Sequence, residues 1–239
     1  MEEKLKYKRI LLKLSGEALK GNNTHGFSHD MLNKAANDIL RLQKLGTEIG
    51  IVIGGGNFWR GKEALHMDRV YADEIGMLAT IMNSIALKNY LENIGIKCCV
   101  MSSIETSGFT EIFSVDIARK KLSEGYVIIF SGGTGHPYFS TDTAAALRAA
   151  QINAEAILFA KNGVDGVYSD DPRQNKNAKK IDSLSYKEIV KKELGVIDLT
   201  AATLCMTTNI PIFVFGMDNE DNIIDVVCGK KIGTIIQEG

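Results

Sequence analysis

Proline is scarce in this chain, with 3 in 239 residues, and no stretch is rich in serine or proline. No period of about 20 to 50 residues recurs, which excludes solenoid repeats and disordered arrays. No apolar run approaches the ~20 residues of a membrane-spanning helix. Met1-Glu2-Glu3-Lys4 also lacks the basic and then apolar layout of a signal peptide, so a cytosolic protein is expected. Net charge is nearly absent, at -1. The pairs Lys120-Lys121, Lys191-Lys192 and Lys230-Lys231 are scattered and form no basic stripe for nucleic acid, which leaves a small molecule as the expected partner. The 4 cysteines, Cys98, Cys99, Cys205 and Cys228, include no C-x-x-C pair, and buried free thiols are expected. His25 and His29 have no third ligand nearby in sequence, so no protein-held metal is expected.

What the chain does have is a recurring join. Three apolar, β-branched-rich runs stop abruptly at glycine loops: Ile10 to Leu14 before Ser15-Gly16, Ile49 to Ile53 before Gly54-Gly55-Gly56, and Val127 to Phe130 before Gly132-Gly133-Thr134-Gly135. Such runs read as strands of a parallel sheet covered on both faces, and ligands of these sheets bind beyond the carboxyl ends of the strands. Helices are expected from Ser28, as cap, to Gly46, and over about 72–93, 114–124, 142–150, 186–194 and 199–207. Further strands fall near 97–101, 156–160, 212–215 and 234–236. The alternation predicts a three-layer α/β/α sandwich with a mainly parallel central sheet, built as one domain over 1–239. The helix over 72–93 is so apolar that one face is insufficient to hide it. Core burial is the plain expectation for Ile75, Met77, Leu78, Met82, Ile85 and Leu87, and a subunit interface the sharper one.

The loops carry the chemistry. Gly56 to Lys62 matches G-x-x-x-x-G-K, but Glu63 stands where a P-loop needs Ser or Thr for the metal, so the match is rejected. Gly54 to Gly56 still allow backbone N–H groups to approach an anion, and Arg60 offers a forked donor for phosphate. The G-x-G-x-x-G fingerprint fails at all three loops, which argues against a nicotinamide enzyme. Ser131 to Asp142 ends one strand and opens a helix, with Thr141 or Asp142 as expected cap and the hydroxyls of Thr134, Ser140 and Thr141 facing the same space. Lys13 interrupts an apolar strand, where an ammonium calls for a phosphate or a carboxylate. Asn162, Tyr168 and Asp171 bracket a Val-Asp-Gly-Val turn that turn chemistry alone would also explain.

Taken together these segments resemble the amino acid kinase superfamily and, within it, the bacterial uridylate kinases. The residues that carry the resemblance are Lys13 to Leu19, Gly54 to Asn57 with Arg60-Gly61, Arg69 with Asp73 and Gly76 to Thr80, Gly133-Thr134-Gly135 through Thr141-Asp142, and Val164 to Tyr168 with Asp171-Pro172. The resemblance implies an amino acid kinase-like fold and ATP-dependent phosphorylation of UMP to UDP with Mg2+. It implies that Lys13, Leu14, Ser15, Gly16 and Gly56 hold the ATP phosphates, that Arg60 sits between donor and acceptor, and that Asp142 organises lysine and metal. Asn162, Tyr168 and Asp171 would hold the adenosine end. Gly55, Asp73, Thr134, Gly135, His136, Pro137, Tyr138, Phe139, Ser140 and Thr141 would bind UMP. About 1–150 would then be the acceptor part and about 151–239 the ATP part of a homohexamer inhibited by UTP. His136 and Ser140 depart from the usual Asn and Thr. Ser28-His29 departs from the usual Gly-Ile beside the loop tied to GTP activation, which counts against that activation. The rivals are a carbamate-, glutamate- or acetylglutamate-type kinase and a non-catalytic nucleotide sensor.

Overall fold

The computed structural model describes residues 4–60, 66–161, 163–170, 172, 174–192, 195–217 and 219–238. Met1 to Glu3, the Gly61-Lys62-Glu63 stretch, Asn162, Asp171 and the expected helix end at Leu194 lie outside them. Strands β1 (Arg9–Leu14) and β2 (Glu48–Ile53) flank helices α1 (Gly16–Lys20) and α2 (His29–Lys44). Helix α3 (Arg69–Asn93), strands β3 (Cys98–Ser102) and β4 (Glu111–Ile112), helix α4 (Val115–Ser123), strand β5 (Val127–Ser131) and helix α5 (Thr141–Gln151) follow. Then come β6 (Ala156–Lys161), β7 (Val167–Tyr168), β8 (Lys180–Ile181), β9 (Ser183–Ser185), α6 (Tyr186–Lys192), α7 (Leu199–Thr208), β10 (Ile212–Gly216), α8 (Asn222–Val227) and β11 (Thr234–Gln237).

Among the described residues nine strands form one sheet in the order β4-β3-β5-β2-β1-β6-β10-β11-β9, and β7 and β8 pair as a separate antiparallel ribbon. Only the β10–β11 pairing in the large sheet is antiparallel. The continuous apolar runs are explained by burial on both faces. Ile10, Leu12 and Leu14 pack with α2, α3 and α8, whereas Leu11 joins Ala145, Ala149 and Ala201 on the side of α5 and α7. Side-chain alternation along a strand therefore places Lys13 on the α5 side. From β1 the chain passes to β2, then to β3 and β4 at the edge, returns as β5 between β2 and β3, and crosses to the other flank of β1 as β6, with β10 beyond it. β1 is thus the switch point, and the loops after its neighbours open a crevice at the carboxyl edge.

Local chemistry sets the boundaries. Ser28 caps α2 by accepting from the Met31 amide, and Gly46 takes a φ of 86° just past the helix, as left-handed C-terminal turns require. Helix α3 departs from simple burial: Met77 and Leu87 are buried, but Leu78, Met82 and Ile85 are exposed, together with Tyr71. Their spacing puts them on one apolar face that no other described element covers. No described helix is long and apolar enough to cross a membrane. Cys98, Cys99 and Cys205 are buried free thiols as expected, whereas Cys228 is only half-buried, and burial pushes the Cys98 thiol up to about 12.

Candidate active site

Lys13 meets a carboxylate. Its Nζ lies 2.8 Å from Oδ1 of Asp142 in the first turn of α5, with the two side chains 13% and 18% exposed. Ser140, one residue before the expected caps Thr141 and Asp142, is the N-cap: its Oγ accepts from the amides of Asp142 at 2.9 Å and Thr143 at 3.3 Å. Asp142 is thereby released from capping, and its side chain serves Lys13. Ser140 Oγ donates to Asp198, which also accepts from Thr143 Oγ1 at 2.9 Å and caps α7 through the Ala201 amide at 2.8 Å. One carboxylate thus pins the start of α5 to the start of α7. Lys161, the last residue of β6, stands beside this pair. Burial first, and then the Lys13 charge, hold its ammonium below the ordinary lysine range, and Asp142 opposes both. Two ammonium groups around one carboxylate leave a net positive charge at the crevice, which suits a polyphosphate.

The first two glycine loops interlock there. A Cβ on Gly16 would lie 2.3 Å from the Gly54 carbonyl, 2.7 Å from Asn57 Oδ1 and 2.8 Å from the Gly56 nitrogen, so only glycine allows this approach. Ser15 keeps its hydroxyl off the α1 cap. The Gly54 amide donates to the Leu14 carbonyl at 3.0 Å, and no hydrogen bond among the described residues engages the amides of Gly55 and Gly56. The loop is fastened from behind by a reciprocal amide pair, Asn57 to Asn83 at 2.8 Å and Asn83 to Asn57 at 2.7 Å. Asn83 also donates to the Gly54 carbonyl at 2.6 Å, and Asn57 to the Gly26 carbonyl at 2.9 Å. Arg60 lies 3.1 Å from Glu17 Oε1. Burial pushes the Glu17 carboxyl up, but hydrogen bonds from Lys20 and Arg60 hold it below its ordinary value.

The third loop needs its glycines as well: Gly132, Gly133 and Gly135 have φ of 73°, 58° and 85°. Its entry is held by α3, where Thr80 Oγ1 accepts from the Gly132 amide at 2.9 Å. Farther along, Tyr138 adopts a φ of 72° and its amide donates to Asp73 Oδ2 at 2.8 Å, an oxygen that also accepts from Arg69 Nε at 2.7 Å. Between α3 and this loop is a cavity of about 160 Å3. Of the expected acceptor residues, Gly55, Asp73, His136, Phe139, Ser140 and Thr141 line it. Thr134, Gly135, Pro137 and Tyr138 belong to the loop but not to its wall. Trp59, Met77 and Gly133 line it too. In β7, Tyr168 donates to Asp165 at 2.7 Å, and that bond holds its phenol above the ordinary range. Asn162 and Asp171 lie outside the described residues.

Three residues escaped the sequence reading. Lys161 ends an apolar strand much as Lys13 interrupts one a residue before its end, and the same signal would have found it. Asp198 directly precedes the apolar helix α7, which is a cap signature. Asn83 is an isolated amide in an apolar helix, and nothing local announces its partner.

The sequence matches the amino acid kinase family over residues 8–216. The chain belongs to the amino acid kinase family. The fold is similar to that of the UMP kinase from Bacillus anthracis, with 40% identity and a TM-score of 0.94 over 97% of this chain and 96% of that one. It is also similar to the UMP kinase from Ureaplasma parvum, with 39% identity and a TM-score of 0.91 over 98% and 100% of the two chains. The uridylate kinase from Archaeoglobus fulgidus is more distant, with 29% identity and a TM-score of 0.71 over 95% and 99%. The mainly parallel sheet expected from the strand and loop pattern, and the amino acid kinase-like fold that the resemblance implied, are therefore the ones found.

Proposed function

We propose that this chain transfers the γ-phosphoryl group of ATP to UMP, giving ADP and UDP. The observation that carries the proposal is the charge cluster Lys13-Asp142-Lys161 beside the cavity walled by Gly55, Asp73 and the third glycine loop. Likeness to UMP kinases over nearly the whole chain supports it. A UMP phosphate oxygen attacks the γ-phosphorus in line, the bond to the β–γ bridging oxygen breaks, and its electron pair leaves with ADP. The attacking phosphate is already ionised at neutral pH, so positioning and charge neutralisation carry the catalysis and no general base is required.

Lys13, Leu14, Ser15, Gly16 and Gly56 form the cradle for the ATP phosphates, and Lys161 adds a second cation to it. Arg60 neutralises charge between donor and acceptor. Asp142 orients Lys13 at 2.8 Å. Tyr168, with Asn162 and Asp171, holds the adenosine end. Gly55, Asp73 and the Thr134 to Thr141 segment hold UMP, with Asp73 suited to ribose hydroxyls. Among the described residues no three His, Cys, Asp or Glu side chains gather to hold a metal. The donor set fits Mg2+ bound chiefly through substrate phosphates and waters, with Asp142 the carboxylate at hand. Mg2+ bound there would neutralise phosphate charge.

About 1–150 would serve the acceptor and about 151–239 the ATP. A cytosolic homohexamer inhibited by UTP completes the reading, and the uncovered apolar face of α3 supports a subunit contact. Purified protein with Mg-ATP and a panel of UMP, CMP, dUMP, carbamate, glutamate and acetylglutamate, followed by ADP release, tests the reaction. UMP-dependent ADP is expected. Turnover with a different acceptor only, or UMP binding without turnover, refutes it.

A further inference from the structure

Arg148 is an anomaly in α5. It stands on the buried face among Ala144, Ala145 and Ala149, is 4% exposed, and has no carboxylate partner among the described residues. Burial lowers its guanidinium to about 10, which leaves it charged at neutral pH. A buried cation without a counterion is costly, and an apolar side chain of similar volume would fill the space more favourably. Its contacts indicate what it does instead. Nη2 donates to Ser103 Oγ at 2.6 Å, Nη1 donates to Gln151, and the Phe113 ring centroid lies 3.8 Å from Cζ.

Ser103 lies between Arg148 and the third glycine loop. Its amide donates to the Ser131 carbonyl at 3.0 Å, and its hydroxyl lies 2.7 Å from the Gly133 carbonyl and 3.2 Å from that of Ser131. A Cβ on Gly135 would meet the Ser103 Cβ and carbonyl at 3.2 Å, so the loop rests directly on this residue. Gly133 lines the acceptor cavity and Ser103 does not. A carbonyl held by Ser103 is therefore turned out of the space an anion enters. A hydroxyl that accepts from a guanidinium is a stronger donor to the next acceptor, so the cation tightens the bond to Gly133.

We infer that Arg148, acting through the Ser103 hydroxyl, is a positioning residue for the acceptor: it fixes the Gly133 carbonyl and so shapes the loop that receives the UMP phosphate. This rests on the UMP kinase reading. The relay predicts a selective effect, in which acceptor affinity falls while ATP affinity does not.

The test uses the full chain, wild type, Ser103→Ala, Arg148→Met and Arg148→Lys. Initial rates are measured with UMP and ATP varied separately, and UMP is titrated without ATP by the fluorescence of Trp59, the chain's only tryptophan, which lines the same cavity. In Ser103→Ala the KM for UMP rises about tenfold while that for ATP stays within about twofold, as loss of one positioning hydrogen bond implies. Arg148→Met shows the same split with a thermal midpoint at or above wild type, because the buried charge is gone. Arg148→Lys, which keeps the cation, recovers part of the UMP affinity. Wild-type protein without UMP turnover overturns the functional reading. Wild-type turnover with unchanged UMP KM in Ser103→Ala, or with UMP and ATP KM rising together, overturns the positioning role alone. Should Arg148→Met fail to fold, Ser103→Ala still decides.

Discussion

Replacing Gly16 with alanine tests whether the crevice depends on backbone contact between its first two glycine loops. The added methyl would sit 2.3 Å from the Gly54 carbonyl, and a separation of at least 3.4 Å is needed for ordinary contact, so one loop must retreat by about 1.1 Å. Neither listener to that shift is a flexible side-chain end, since the Gly54 oxygen and the Gly56 nitrogen are backbone atoms. Overpacking of this kind costs about 1–3 kcal/mol, partly offset because alanine suits a helical turn better than glycine. A net loss of about 2 kcal/mol lowers the thermal midpoint by about 4–8 °C in a chain of this size. The effect on turnover is larger, because a displacement of about 1 Å in a positioning group costs on the order of 100-fold in rate. Calorimetry and UMP-dependent ADP release measure the two effects, with Gly195→Ala as control, since a Cβ there meets nothing within 4 Å. A Gly16→Ala protein with wild-type kcat and midpoint would refute the argument that the loops must touch.

Lys13→Ala removes the cation at the centre of the cluster, and kcat is expected to fall far more than the KM for UMP rises; steady-state kinetics with wild-type kcat and a weakened UMP KM would contradict its place on the transferred phosphate. Asn83→Ala leaves the Asn57 amide and the Gly54 carbonyl without their buried partner, so a loss of about 2–4 kcal/mol is expected in urea unfolding, with reduced kcat. Asp38 on α2 is buried with Oδ2 unbonded among the described residues. Burial lifts its carboxyl from 3.8 to about 6, with Lys34 and Arg41 pulling it down and Glu220 pushing it up. Its folded pKa exceeds the unfolded one, so the folded state holds the extra proton and stability falls as pH rises from about 4 to about 6, a loss of up to about 3 kcal/mol at neutral pH. Asp38→Asn should remove that fall and raise the unfolding free energy at pH 7.5; an unchanged pH profile would contradict the burial argument.

Much of this was legible because it is local. Apolar runs of four or five residues ending at glycine loops identified β1, β2 and β5, and Ser28 and Gly46 bounded α2 within two residues of the observed ends. Short elements were not legible. The helix α1, the ribbon β7–β8 and the helix α8 have too few residues to display a period, and their apolar side chains find cover only after the chain is folded. The cap of α5 was misplaced by one residue because Ser140, Thr141 and Asp142 all have the right chemistry, and the choice was made by Asp198 on another helix. Lys13 was recognisable as a charge in need of an anion, but the sequence left open whether a phosphate or a carboxylate would meet it.

The sequence by itself determined the class of fold, because hydrophobic periodicity and glycine punctuation act over a few residues and do not depend on what lies opposite. Tertiary structure decided which loops meet. The parallel crossovers bring Gly16 against Gly54, Lys13 against Asp142, Asn57 against Asn83 and Arg148 against Ser103, pairs separated by between 26 and 129 residues. Contacts at such separation are set by strand order and by the switch of winding direction at β1, which are properties of the assembled sheet and of no single segment.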